Sequence, residues 1–128
     1  MLDALGIALG ITLTKRRFPT NNGSRAEVDG VSDDPPILVE AWAHQGEPKA
    51  AQKAKVLKDA IKLVWVEQKF LPGARKVLLF SDPEAARHFQ ARTWAAAAIV
   101  DFGIEIHVVE LPPERQAAIR AAQTRQFR

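Results

Sequence analysis

The 128 residues contain no cysteine. That excludes a disulfide scaffold and a cysteine-ligated zinc site, and it suits a cytoplasmic location. No apolar run approaches the ~20 residues that cross a bilayer, so no membrane span is expected. The opening MLDALGIALGITLTKRR is not the order of a secretory leader: its positive charges follow the apolar stretch, and Asp3 interrupts its start. No histidine spacing suggests zinc. Ser24 and Ser81 have no convincing base, which argues against a serine hydrolase. No glycine-rich loop follows a strand to cradle phosphates. Repeats and dividing linkers are missing too, so residues 1–128 read as one domain.

What is present is a foldable chain. Hydrophobic residues make up 47% and charged residues 26%, enough for a core and too apolar for disorder. The net charge of +3 is compatible with a nucleic-acid partner without demanding one. Residues 2–9 read as a short helix ended by Gly10, and 11–18 as a first strand. EVDGV (27–31) and ILVEAWA (37–43) are strands joined by the turn-rich SDDPP. A long helix spans about 48–70 and ends at LPGA. KVLLF (76–80) has the continuous apolar character of a buried strand. SDPE opens a helix running to about Phe102, with Ser81 or Asp82 as cap and Pro83 in the first turn. IEIHVVEL (104–111) is the last strand, and PPE opens a final helix. The order predicts an α/β (α+β) fold: a mixed sheet, antiparallel at first and parallel later, with helices on both faces.

The hairpin carries the chemistry. A loop centred on residues 33–36 sets paired positions that sum to about 69, which puts Asp29 opposite Glu40. Opposed side chains share a face, with Cβ atoms about 5 Å apart. Two carboxylates held that close repel, whereas a divalent cation needs them together. Glu40 also has apolar neighbours, and a buried lone carboxylate is costly unless it is paired or metal-bound. Asp33 or Asp34 is the alternative first acid if the register differs.

The helix that follows adds cations. At 100° per residue Val56, Leu57, Ala60, Ile61 and Val64 form one apolar stripe, and Lys49 and Lys53 project onto it. Lys55, Lys58 and Lys62 fall away from it, toward solvent. Gln52 sits at its margin. Lys49 and Lys53 are therefore the lysines expected to face the sheet near Glu40, where an ammonium can hold a phosphate oxygen or position water; snorkelling from the core edge is the competing account.

A carboxylate on one hairpin strand, an acid followed by a lysine two residues on in the next, then a helix is the signature of the restriction-endonuclease-like, or PD-(D/E)XK, nucleases. AEVDGV followed by ILVEAWAHQG resembles the hairpin of their Holliday-junction-resolvase-like members. The resemblance implies that Asp29 and Glu40 bind Mg2+ or Mn2+ and that the substrate is DNA. Trp42 stands where the lysine belongs, and an indole has no cation. Some members supply the lysine from the following helix, a role for Lys49 or Lys53. Asp3 is the early-helix acid the family often has. His44 lies on the Glu40 face and is a further candidate.

The expected function is a metal-dependent DNA phosphodiester hydrolase. The alternative is an inactive nuclease fold serving as a DNA- or protein-interaction module, alone, as a homodimer or with a protein partner. Lys15, Arg16 and Arg17 form a candidate phosphate-contact cluster. Arg115, Arg120 and Arg125 rotate around the last helix and read as solvated surface. Phe89, Trp94 and Phe102 read as packing against the sheet, His107 as packed and His88 as exposed.

Overall fold

A computed structural model describes residues 1–126. The elements are α1 (Leu2–Leu9), β1 (Thr14–Pro19), β2 (Arg25–Asp33), β3 (Pro36–Trp42), α2 (Ala50–Phe70), β4 (Arg75–Phe80), α3 (Pro83–Arg87), α4 (Trp94–Asp101), β5 (Ile104–Val108) and α5 (Pro113–Gln126). The five strands form one sheet in the order β1-β2-β3-β4-β5. β1, β2 and β3 are antiparallel neighbours, while β3, β4 and β5 run parallel. This is the mixed α/β sheet, antiparallel at first and parallel later, that the element order predicts. Among the described residues no helix is long and apolar enough to cross a membrane.

Strand alternation sorts the core into two layers. Ile37, Val39, Val77 and Leu79 pack with Leu5 of α1 on one face. Leu38, Leu78 and Phe80 pack with Val56, Ala60, Leu63 and Val66 of α2, and with α3 and α4 residues, on the other. Glu40 and Trp42 have the parity of Leu38, so they face α2. Gly10 ends α1 as expected, in the left-handed region at φ 70° that glycine adopts without strain.

Two expectations change. The stretch after β4 is broken rather than one helix. Asp82 caps α3 by accepting from Glu84 N (3.1 Å), a 3-10 turn covers His88–Gln90, and Thr93 caps a new helix by accepting from Ala96 N (3.1 Å). Of the aromatics assigned to this packing only Phe89 is buried; Trp94 is 78% and Phe102 57% exposed, because α4 turns Ala95, Ala96 and Ile99 inward. His88 is half-buried, as is His107, which pairs with Glu105 at 3.1 Å.

The apolar stripe of α2 also lies elsewhere. Its buried members are Val56, Ala60, Leu63 and Val66, whereas Ile61 is 70% exposed. Leu57 and Val64 are only partly buried, toward α4, where they and Ile61 line a groove with Trp94 and Phe102. The helix is thus rotated relative to the expected stripe, and that rotation decides which lysines reach the sheet.

Candidate metal-phosphate site

The register sum of 69 holds from Asp33–Pro36 through Gly30–Val39. The regular pairing stops there, one residue short of Asp29 and Glu40. On the other side of β2 Thr14 faces Val31 and Arg16 faces Val28, so three β2 steps span two β1 steps. The extra residue is a bulge at Asp29 and Gly30, a device that re-aims side chains. Gly30 is needed for close approach: a Cβ there would come within 2.9 Å of Leu2 Cδ2 and 3.2 Å of Leu13 Cβ. Asp29, just before it in the chain, lies on the other face, toward α2 beside Glu40 and Asp59, and accepts a hydrogen bond from Ala41 N through Oδ2 at 2.9 Å. Its carboxylate thus caps the amide next to Glu40 and is held by backbone.

Glu40 is 5% exposed. Burial raises its pKa, and the Asp29 charge raises it further, while Lys62 opposes them; Asp59 adds to the increase, and the result is about 7. Lys62 Nζ lies 3.2 Å from Glu40 Oε1 and 3.6 Å from Asp59 Oδ1. The ammonium is close enough for an ion pair but lies off the hydrogen-bond direction, so Oε1 stays a buried acceptor without a hydrogen-bond partner among the described residues. Asp59 shows the same direction: burial raises its pKa first, Lys62 pulls it down, and Asp29 pushes it up. Asp29, Glu40, Asp59 and Lys62 therefore share one electrostatic environment, with three carboxylates against the Lys62 ammonium and with Lys55 acting on Asp59 from the side.

Lys55, Asp59 and Lys62 are spaced i, i+4, i+7 and so share one flank of α2, directed at the Glu40 face. Lys55 Nζ sits 5.3 Å over the Trp42 ring. This corrects the lysine assignment. The charged groups acting on Glu40 are Asp29, Lys62 and Asp59; Lys49 and Lys53 are not among them. Lys49 is exposed at the N-cap of α2, where its backbone N–H donates to Gln52 Oε1 at 2.7 Å, and Lys53 acts on His88. Lys58 is exposed, as expected.

The remaining candidates fall into place around this centre. Gln52 Nε2 meets His44 Nδ1 at 3.2 Å, and burial lowers the His44 pKa. The Trp42 and His44 rings are 6.1 Å apart, so His44 flanks the indole. Asp3 is exposed on α1, against the opposite face of the sheet, and does not join Glu40. Asp33 is exposed and engaged by the Arg16 guanidinium at 2.6 and 2.8 Å. Lys15 and Arg17 both pair with Glu27, at 3.2 and 3.5 Å, so the first basic cluster is largely neutralised by ion pairs. Arg120 reaches Asp82 at 3.6 Å.

The donor chemistry suits a hard divalent cation. Among the described residues no group of three or more His, Asp or Glu side chains forms a complete metal cage. Mg2+ does not need one: it is commonly held by one or two carboxylates, with water and substrate oxygens completing the octahedron. Asp29 and Glu40, with an unfilled buried acceptor on Glu40, fit that role.

No family model matches the chain, and a search of curated proteins finds no match. Among solved structures it is similar to EndoMS in apo form, at 11% identity and a TM-score of 0.41, covering 86% of this chain and 44% of that one. It is similar also to a repair endonuclease from Pyrococcus abyssi, at 15% identity and a TM-score of 0.42, covering 86% of this chain and 46% of that one. The chain thus spans less than half the length of either.

Asp59, Lys62 and Lys55 are the residues that sequence reasoning missed. Their signal was there: centring the helical projection on Val56, Ala60, Leu63 and Val66 places Asp59 and Lys62 beside the buried stripe.

Proposed function

We propose that this chain carries a metal-dependent DNA phosphodiester hydrolase site of the PD-(D/E)XK type. The observation that carries the reading is Glu40: a buried carboxylate on a strand, beside Asp29 and within 3.2 Å of a lysine ammonium. A structural glutamate has no reason to be buried among other carboxylates, since each adds to the cost of ionising it. Asp29 and Glu40 would hold Mg2+ or Mn2+. When bound, the metal supplies Lewis-acid polarisation of the phosphate and a more acidic water. Asp29 is oriented by the Ala41 amide. Lys62 takes the part expected of Lys49 or Lys53: it offsets carboxylate charge and is placed to hold a phosphate oxygen as negative charge develops. With its pKa near 7, Glu40 exchanges its proton near neutral pH, so proton release and cation binding are linked.

The test is cleavage of branched, single-stranded and duplex DNA with Mg2+ or Mn2+. The parent should cut at least one form, and Glu40→Gln and Lys62→Met should lose roughly 10²-fold or more. A parent that binds DNA and cuts none of the three would overturn the reading.

A second reading has its own observation. Lys62 already neutralises Glu40, and Trp42 occupies the lysine position of the motif. A fold that had lost catalysis would keep such a pair as a structural substitute for the metal. Calorimetry separates the two: Mg2+ binding in the millimolar range or tighter that disappears in Asp29→Ala supports the hydrolase.

A further inference from the structure

Next to the carboxylates, by the first turns of α2, lies a cavity of about 610 Å3 lined by Trp42, His44, Gln52, Lys55 and Ile119, with alanines between them. Trp42 is two residues beyond Glu40 with the same parity, about 6.6 Å along the strand. The cavity therefore adjoins the position of the reacting phosphate.

Its chemistry is one-sided. No carboxylate lines it. Lys55 is exposed, and its ammonium is held over the indole at 5.3 Å by the attraction of a cation to a ring face. Trp42 Nε1, a group that can only donate, is buried and has no acceptor among the described residues. Gln52 has its oxygen committed to Lys49 N and its amide nitrogen against His44. The first turn of α2, where Ala51 and Gln52 lie, contains no acidic residue, so the positive end of a 21-residue helix is not neutralised there. The side chains lining the cavity include one ammonium and no carboxylate, and the indole under that ammonium has a buried N–H without an acceptor among the described residues.

We propose that this cavity is a subsite for a backbone phosphate of the nucleic-acid strand, adjacent to the phosphate at Glu40. The inference rests on the hydrolase reading for its choice of ligand. Lys55 supplies the charge. Trp42 is a positioning residue: its ring fixes the ammonium, and its N–H gains an acceptor as the phosphate oxygen enters and the ring adjusts. The tryptophan that interrupts the nuclease motif thus serves strand binding, while Lys62 covers the charge at Glu40.

The experiment measures binding of a labelled single-stranded oligothymidylate by fluorescence anisotropy, in EDTA, over a range of salt. Lys55→Gln should weaken binding about tenfold and reduce the salt slope by about 0.7, one phosphate contact on a single strand. Trp42→Phe keeps the ring and removes the N–H; it should weaken binding several-fold with a smaller change of slope. Lys58→Gln, exposed on the same helix, should change little. Thermal melts confirm that each variant is folded. Lys55→Gln binding as well as Lys58→Gln would overturn the subsite. Because EDTA removes the metal, the two readings fail separately. Lys55-dependent binding without cleavage in Mg2+ keeps the subsite and sinks the hydrolase; cleavage with Lys55-independent binding does the reverse.

Discussion

Glu40→Gln should stabilise this protein at alkaline pH, and the size follows from the site. The carboxyl has an ordinary value of 4.5 and is raised to about 7 in the folded protein, first by burial and then by Asp29. Each tenfold change in proton affinity is worth 1.36 kcal/mol, so ionising Glu40 inside the fold costs about 3 kcal/mol. Between pH 4.5 and 7 the folded protein keeps a proton that the unfolded chain has released. Stability therefore falls as pH rises through that window, and the full cost applies above it. Glutamine has no such proton to lose. The opposing pull of Lys62 is already contained in the value of about 7.

The gain is about 3 kcal/mol at pH 8, or a rise in Tm of about 10 °C for a chain of this size. At pH 5 Glu40 is protonated in the folded parent, less than about 1 kcal/mol of the difference is present, and the two proteins should melt within about 3 °C of one another. The assay is a thermal melt of both proteins at pH 5, 6, 7 and 8 in EDTA. A Tm difference that does not grow with pH, or that favours the parent at pH 8, would refute the burial argument for Glu40.

Four further outcomes follow from particular contacts. Magnesium at ~10 mM should stabilise the parent by about 1.4 kcal/mol for a Kd on the order of 1 mM, and should leave Glu40→Gln unmoved; differential scanning calorimetry reads both. In the DNA-cleavage assay Lys62→Met should lose roughly 10²-fold, whereas Lys49→Ala and Lys53→Ala, away from Glu40, should stay within a few-fold of the parent; the reverse ranking would return the lysine to the start of α2. Gly6→Ala should destabilise by about 1–3 kcal/mol in urea melts, because its Cβ would meet the Ile11 carbonyl oxygen at 2.7 Å, a backbone atom with little room to yield. Glu105→Gln should cost less than about 1 kcal/mol at pH 7, since the Arg75 fork and His107 that hold its pKa down to about 2 are partly exposed. That small contribution is present above pH 4.5 and fades as pH falls through 2, which a pH series of urea melts measures.

The hairpin was legible because its information is local. The turn at 33–36 fixes the register, and the observed sum of 69 follows from it. The mixed sheet was legible for a related reason: KVLLF and IEIHV follow helical segments, and crossovers of that kind join parallel strands. What escaped was what depends on another element. The bulge at Asp29 and Gly30 arises where β1 and β2 fall out of step, which no window on β2 alone reveals. The exposed Trp94 and Phe102 illustrate the same limit: their apolar character is visible in sequence, but which face α4 turns inward is set by the helix and strands it meets.

The lysine assignment shows how far one rotation propagates. Weighting Leu57, Ile61 and Val64 places the stripe too far toward α4 and onto Lys53, while Lys49 projects onto Val56 and Ala60 but is the N-cap, outside the helix and exposed. The sheet instead takes Val56, Ala60, Leu63 and Val66, which pack with Leu38, Leu78 and Phe80 in one apolar cluster. Turning α2 that way brings Asp59 and Lys62 against Glu40 and Lys55 over Trp42. The departure at Trp42 and the lysines of α2 are then one feature. A lysine at position 42 would add an ammonium beside the one Lys62 already supplies and would leave Lys55 without its ring. Trp42→Lys, a substitution that restores the motif, should therefore weaken strand binding in EDTA rather than strengthen it, by up to about tenfold where the cation–π contact and N–H are lost. Tighter binding by Trp42→Lys would mean that the indole is only a remnant and that Lys55 rests on it by accident.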